Sequence, residues 1–387
     1  MRKRVLQKIV YAFVLANALS AACAIRAGAQ LPVPDHIVIC IMENHGYSQI
    51  IGSSAAPFIN SLASANASFG SSYALAHPSQ PNYLMLFSGS NQGVTTDNLP
   101  TGTPWSTLNL GASLLNAGLT FKAYSQGLPS VGSTATTSGQ YARKHAPWVD
   151  WQGTGINRIS SSCNQPFTAF PANYSSLPKV SFVIPDMDHD MHNGTDPSTI
   201  TTGDTWLQTN LAAYITWANS HNSLFILTFD EDENSSSTNQ ITTIFSGQMV
   251  MPGYYDTYTY NHYNILRTIE EMYSLPYAGA SSSAQPILDC WRIATGINQI
   301  DKAASFTVSP NPFSNKASAR YSGPLDFSNV QFALYDLLGN KVRDLTKEFA
   351  DQNGNFIFNR EGMKSGVYFY RLLEDGLPIC SGKIIIE

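Results

Sequence analysis

At 387 residues, 43% of them hydrophobic and 13% charged, the chain has enough apolar side chains for a large core and room for two domains, which excludes a disordered or low-complexity protein. Beyond residue 29 it carries 17 basic against 27 acidic residues, a balance that argues against a nucleic-acid-binding surface.

The chain opens on the basic segment MRKRVLQK, continues through the apolar IVYAFVLANALSAACA and reaches AGA at 27–29. This order reads as a cleaved secretory signal peptide over residues 1–29. Its apolar core is short for a bilayer span and nothing comparable follows, so no stable membrane span is expected. Export permits disulfides, and Cys163 and Cys290, both in polar loop-like surroundings, are expected to pair. Cys40, inside an apolar run, reads as a small buried hydrophobe.

HIVICIM (36–42) is the first strand-like run, and it stops at Glu43, Asn44 and His45. A helical stretch, FINSLASANA (58–67), follows, and then ALAHPSQPNYLMLFSG (74–89). There Ser79 stands between Pro78 and Pro81, with His77 before it and Asn82 after, a stiffened hydroxyl suited to nucleophilic attack. YARKHAPW (141–148) supplies Arg143, Lys144 and His145, the dense basic spot of an acidic region and a counter-charge for an anionic substrate. SFVIP (181–185) ends at Asp186, Asp188, His189, Asp190 and His192, and LFILTF (224–229) ends at Asp230, Glu231, Asp232 and Glu233. The helical stretches TWLQTNLAAYITWANS (205–220) and YNILRTIEEMY (263–273) flank the last of these, with His262 opening the second.

Alternating strands and amphipathic helices predict an α/β unit with a mostly parallel sheet and helices on both faces. In such sheets ligands sit beyond the carboxyl ends of the strands, where three acidic clusters would converge. So many carboxylates and imidazoles call for a divalent cation among them. Asp230 and Glu231 are expected to point inward and Asp232 and Glu233 to form a solvated turn. Near residue 300 the composition changes: residues 30–300 hold 7 basic and 17 acidic residues, 301–387 hold 10 of each. The tail consists of short β runs separated by turn signals and reads as a small β-sandwich.

HIVICIMENHGYSQIIGSSAAPFINSLA, HPSQPNYLMLFSGSNQG, YARKHAPW, PDMDHDMHNG, FDEDE and NHYNILRTIEEMYSLP together resemble the phosphoesterase family that groups acid phosphatases with phosphatidylinositol-3-phosphatase-like and phospholipase C enzymes, within the alkaline phosphatase-like superfamily. The resemblance implies that Glu43, Asn44, Asp230 and Glu231 hold a divalent cation beside a nucleophilic Ser79, with His189, Asp190, His192 and His262 around the substrate or a second metal position. Arg143 and Lys144 would then bind the substrate, and His77, His145, His192 or His262 would protonate the leaving group. FTVSPNPF, LYDLLGNKV, SGVYFYRL and GKIIIE resemble the C-terminal sorting domain of type IX secretion, which implies passage through the periplasm to the cell surface or medium. The expectation is a secreted metal-dependent phosphomonoesterase, organised as a catalytic domain (30–300) and a sorting domain (301–387). Its rivals are a phospholipase C-type phosphodiesterase on the same residues and a non-catalytic adhesin or glycan-binding protein.

Overall fold

The computed structural model describes residues 31–233, 238–292, 305–323, 325, 327–374 and 377–387. The expected signal peptide lies outside the described residues. The chain divides into two compact units, with the boundary after Arg292.

In the first unit, eight strands form one sheet in the order Tyr255–Asp256, Ala67–Phe69, Thr243–Ser246, Ser223–Phe229, His36–Met42, Val180–Ile184, Phe121–Ser125, Asn164–Pro166. The last five of these run parallel, whereas Thr243–Ser246 lies antiparallel to both of its neighbours. The apolar run HIVICIM is explained by its central place. Ile37, Ile39 and Ile41 belong to the core on one face and Val38, Cys40 and Met42 to the core on the other, so neither face of the strand can be polar.

The helices Pro57–Ala65 and Ser198–Ala218 cover the second face, burying Ile59, Leu62, Leu207 and Leu211. The first face carries the helices Ser79–Ser88, Leu110–Asn116 and His262–Met272. All ten residues of Ser79–Ser88 are buried, because the helix is wedged among its neighbouring helices. Pro81 falls in its first turn, where a missing N–H costs no intrahelical bond. Gly89 ends it at φ 67, and a Cβ there would meet the Ala278 carbonyl oxygen, so only glycine fits.

The second unit holds two antiparallel sheets. One has the three strands Ser305–Ser309, Lys316–Ser322 and Asn355–Asn359, and the other the four strands Lys341–Asp344, Val330–Tyr335, Gly366–Glu374 and Leu377–Ile386. Their inner faces share one core that includes Phe306, Ala319, Phe332, Leu372 and Ile384.

Candidate active site

Strand register brings the acidic clusters together. Met42 pairs with Phe229 and Cys40 with Val183, so the residues that follow the three strands emerge side by side at one end of the sheet. The backbone stitches them: Asp230 N–H donates to the Met42 carbonyl (3.1 Å) and Glu43 N–H to the Asp190 carbonyl (2.8 Å). Asn44 contributes its backbone N–H, which donates to Asp230 Oδ1 at 3.0 Å. Asn44 (φ 23) and Met191 (φ 85) both hold left-handed backbone beside a buried acid, a local strain of order 1–3 kcal/mol each that the surrounding packing must offset.

Ser79 is the first residue of the buried helix and is itself 2% exposed. Its hydroxyl lies 3.1 Å from both Glu43 Oε2 and Glu231 Oε1, so two carboxylates compete for one proton. Asn82, one turn on, fixes the approach: its Oδ1 accepts from the N–H groups of Leu75 and Ala76, and its amide donates to the Ala76 carbonyl. The positive end of the helix dipole adds to the attraction of this spot for an anion.

The histidines differ in what they can do. His77 faces Glu231 Oε2 through Nδ1 (2.7 Å) and Asp232 Oδ1 through Nε2 (3.3 Å). His145 lies between Glu43 Oε1 (3.1 Å) and Asp190 Oδ2 (3.4 Å) and stacks on Tyr83 at 5.0 Å. His262 Nε2 faces the Asp230 carbonyl oxygen at 2.8 Å, so Nε2 carries the hydrogen. Burial pushes the His262 imidazole down to about 4, against the pull of that carbonyl, and it is neutral at neutral pH. His192 Nε2 lies 3.5 Å from the Lys144 ammonium, which can only donate to it.

Glu43, Asp190, Asp230, Glu231 and Asp232 are each no more than 2% exposed. Burial, followed by the charge of Glu43, pushes Glu231 up to about 8 and Asp230 well above the usual carboxylate range; burial also raises Asp190 to about 6. Glu43 Oε1, His145 Nε2, Asp190 Oδ2 and Asp230 Oδ2 are buried with no hydrogen-bond partner among the described residues. One donor atom each from Glu43, His145 and Asp190 lies within 4.8 Å of the others. Two carboxylates and an imidazole with orphaned donors suit a divalent cation, which would lower the raised carboxyl values.

Several expectations are corrected by this geometry. The cluster that could hold a cation joins Glu43 of the expected set to Asp190 and His145, while Glu231 lies against His77 and Ser79. Asp232 is not a solvated turn: it is buried against His77, and its N–H donates to Asn239 Oδ1; Glu233 is exposed. Arg143 turns away to pair with Asp150 at 2.7 Å. Half-exposed His189 pairs with Asp186 and Gln126.

The expected Cys163–Cys290 disulfide is absent, and both thiols are free and buried. Cys163 adjoins the Asn164–Pro166 edge strand, whereas Cys290 bonds to the segment that follows Thr243–Ser246, five strands away. Strands about 4.8 Å apart put the two far beyond disulfide reach. Sequence reasoning missed Tyr83 and Asp97. Tyr83 could have been found as the i+4 neighbour of Ser79 on one helix face. Asp97 gave no signal, since its partners Gln80 and Lys144 are distant in sequence.

Residues 53–276 match the model of the Phosphoesterase family, and residues 307–387 that of the Secretion system C-terminal sorting domain. Phosphatidylinositol-3-phosphatase of Mycobacterium tuberculosis is 46% identical over 267 residues, covering 68% of this chain and 85% of that protein. An acid phosphatase of Aspergillus fumigatus is 28% identical over 244 residues, covering 59% of this chain and 53% of its own length. A solved alkaline phosphatase superfamily protein from Vibrio parahaemolyticus overlays with a TM-score of 0.48 at 11% identity, covering 84% of this chain and 89% of that one.

Proposed function

The chain belongs to the phosphoesterase family and is a phosphoric ester hydrolase, and on that premise we propose that it is a metal-dependent phosphomonoesterase working through a phosphoserine at Ser79. The observation that carries this reading is the Ser79 hydroxyl, buried at a helix start and within 3.1 Å of two carboxylates. Glu231, whose Oε1 lies 3.1 Å from the Ser79 hydroxyl, is placed to take its proton. Ser79 Oγ then bonds to phosphorus as the ester oxygen leaves with a proton from His77. Water cleaves the phosphoserine, releasing phosphate and restoring the hydroxyl.

Glu43, Asp190 and His145 would hold a divalent cation, with Asp230 beside them. When bound, it would supply positive charge and Lewis acidity at the phosphoryl group. Lys144, kept charged because Glu43 and Asp97 outweigh its burial, would neutralise a phosphate oxygen. The names of the relatives support a monoester substrate. The adhesin reading has no use for a buried serine held between two buried carboxylates.

The sorting domain marks the chain for export to the cell surface or medium. We assign residues 30–300 to catalysis and 301–387 to recognition by the type IX machinery, after passage through the periplasm. No helix among the described residues is long and apolar enough to cross a membrane.

Acid quench during turnover of a phosphate monoester should trap label on Ser79, and Ser79→Ala should lose the label and at least about a thousandfold in kcat. Turnover by Ser79→Ala at more than a few per cent of the parent rate would refute the covalent route. Faster cleavage of phosphodiesters than of monoesters in the same assay would replace the substrate class.

A further inference from the structure

Between the buried helix that begins at Ser79 and the helix Leu110–Asn116, residues 89–109 form no helix or strand. Irregular stretches longer than about 12–15 residues inside a compact domain are uncommon and are either functional or disordered. This one is largely exposed from Val94 to Thr103, yet its middle is fastened beside the nucleophile. Asp97 Oδ1 accepts from the Gln80 N–H at 3.0 Å, one residue after Ser79. Asp97 Oδ2 accepts from Lys144 Nζ at 2.9 Å. The buried Gln80 side chain, with its amide nitrogen toward the loop, donates to the carbonyls of Asn98 (2.8 Å) and Thr96 (3.1 Å).

Asp97 therefore spends its two carboxylate oxygens on donors that also suit a phosphate oxygen: an ammonium and an N–H in the first turn of a helix. Lys144 is enclosed by Asp97 and His192. Partial burial raises the Asp97 carboxyl, but the Gln80 N–H and Lys144 outweigh it and hold Asp97 below the usual range, so it is an anion at any working pH. A phosphate ester drawn to Lys144 brings its own negative charge within contact distance of that anion. Like charges at contact repel by more than a partly exposed ion pair contributes.

We propose that Asp97 is an internal competitor of the substrate phosphate for the Lys144 ammonium, and that it gives up this contact each time a phosphate ester binds. The proposal rests on the reading of this site as one that binds a phosphate ester. The loop is then a latch whose closed state is held by the same charge that the substrate needs.

Inorganic phosphate, titrated as a competitive inhibitor and by calorimetry, tests this in the full-length protein with its metal as purified. Asp97→Asn removes the charge but keeps an oxygen for the Gln80 N–H. It should tighten phosphate about three- to tenfold and lower KM by a similar factor. Lys144→Met should weaken phosphate at least about tenfold, and adding Asp97→Asn to it should change binding less than about twofold, because the object of competition is gone. Weaker phosphate binding in Asp97→Asn would overturn the proposal and make Asp97 a positioning residue for Lys144. Equal tightening with and without Lys144 would overturn it too, leaving plain repulsion. Thermal melts of the four proteins confirm that each is folded. Phosphate binding needs no Ser79 chemistry, so a missing phosphoserine would refute the covalent route without touching this result.

Discussion

Glu43→Gln should stabilise the cation-free protein while abolishing its stabilisation by a divalent cation. Ser79 Oγ is 3.1 Å from an oxygen of Glu43 and 3.1 Å from one of Glu231. Those oxygens are therefore no more than ~6 Å apart, a separation at which two charges repel by about 3 kcal/mol at an effective dielectric constant of ~20. The amide is a poorer acceptor for the Ser79 hydroxyl, which gives back about 1 kcal/mol. The net gain of about 2 kcal/mol is about 4–8 °C in melting temperature for a unit of this size. Folding raises Glu231 from 4.5 to about 8. An acid raised on folding contributes stability that is complete below its unfolded value and lost as pH climbs through its folded value. The relevant window is thus 4.5 to about 8, and the gain from Glu43→Gln should be large at a pH of about 8.5 and small at about 5. Thermal melts in EDTA at both pH values, repeated with millimolar divalent cation, read all of this. The parent should rise with cation by RT ln(1 + [L]/Kd), and the variant should not. A variant that melts lower than the parent in EDTA at the higher pH would refute the reasoning, because Glu43 would then be an ordinary structural acceptor.

Asp232→Asn should lower kcat about ten- to a hundredfold with metal content unchanged by elemental analysis, since it strips a carboxylate from His77 but leaves the cation cluster alone. Asn82→Ala should cost about 2–3 kcal/mol in urea unfolding, because it orphans the Leu75 and Ala76 N–H groups, and should slow turnover by displacing Ser79. Glu270, fully buried under the 278–281 segment, is pushed up to about 7 by burial against the Ser281 and Ala278 donors. Its contribution to stability is therefore lost as pH rises from 4.5 to about 7. Glu270→Gln should accordingly melt above the parent at a pH of about 8 and level with it at about 4.5; an equal gap at both would refute the linkage. Truncation after Arg292 should leave a folded, active hydrolase in the cytoplasm of an expression host, and in the native host the activity should stay in the periplasm. A folded but inactive truncation would place part of the site in the tail.

The parallel sheet was legible because central strands buried on both faces must be continuously apolar, and HIVICIM, SFVIP and LFILTF are; their abrupt acidic ends then marked the ligand crevice. The Ser79 helix was less legible. SQPNYLMLFS lacks an apolar stripe because every face of it is buried, and Pro81 in the first turn imitates a turn signal. Asp232 was misplaced for a related reason: four consecutive acids resemble a solvated turn, and only the position of His77 shows that two of them face an imidazole.

The division of labour among the histidines lay beyond the sequence altogether, because it depends on what each ring nitrogen faces. His262 is committed by a carbonyl oxygen and burial to a neutral form, His192 is turned into an acceptor by the Lys144 ammonium, and His145 is held by the Tyr83 ring between Glu43 and Asp190. His77 combines a carboxylate at each nitrogen with an open side to solvent, and its Glu231 partner also touches the Ser79 hydroxyl. Glu231 thus bridges the Ser79 hydroxyl and the His77 imidazole. His77→Gln should then lower kcat about a hundredfold or more, whereas His192→Gln should leave it within about twofold. A His77→Gln variant that kept its kcat would assign the leaving-group proton elsewhere.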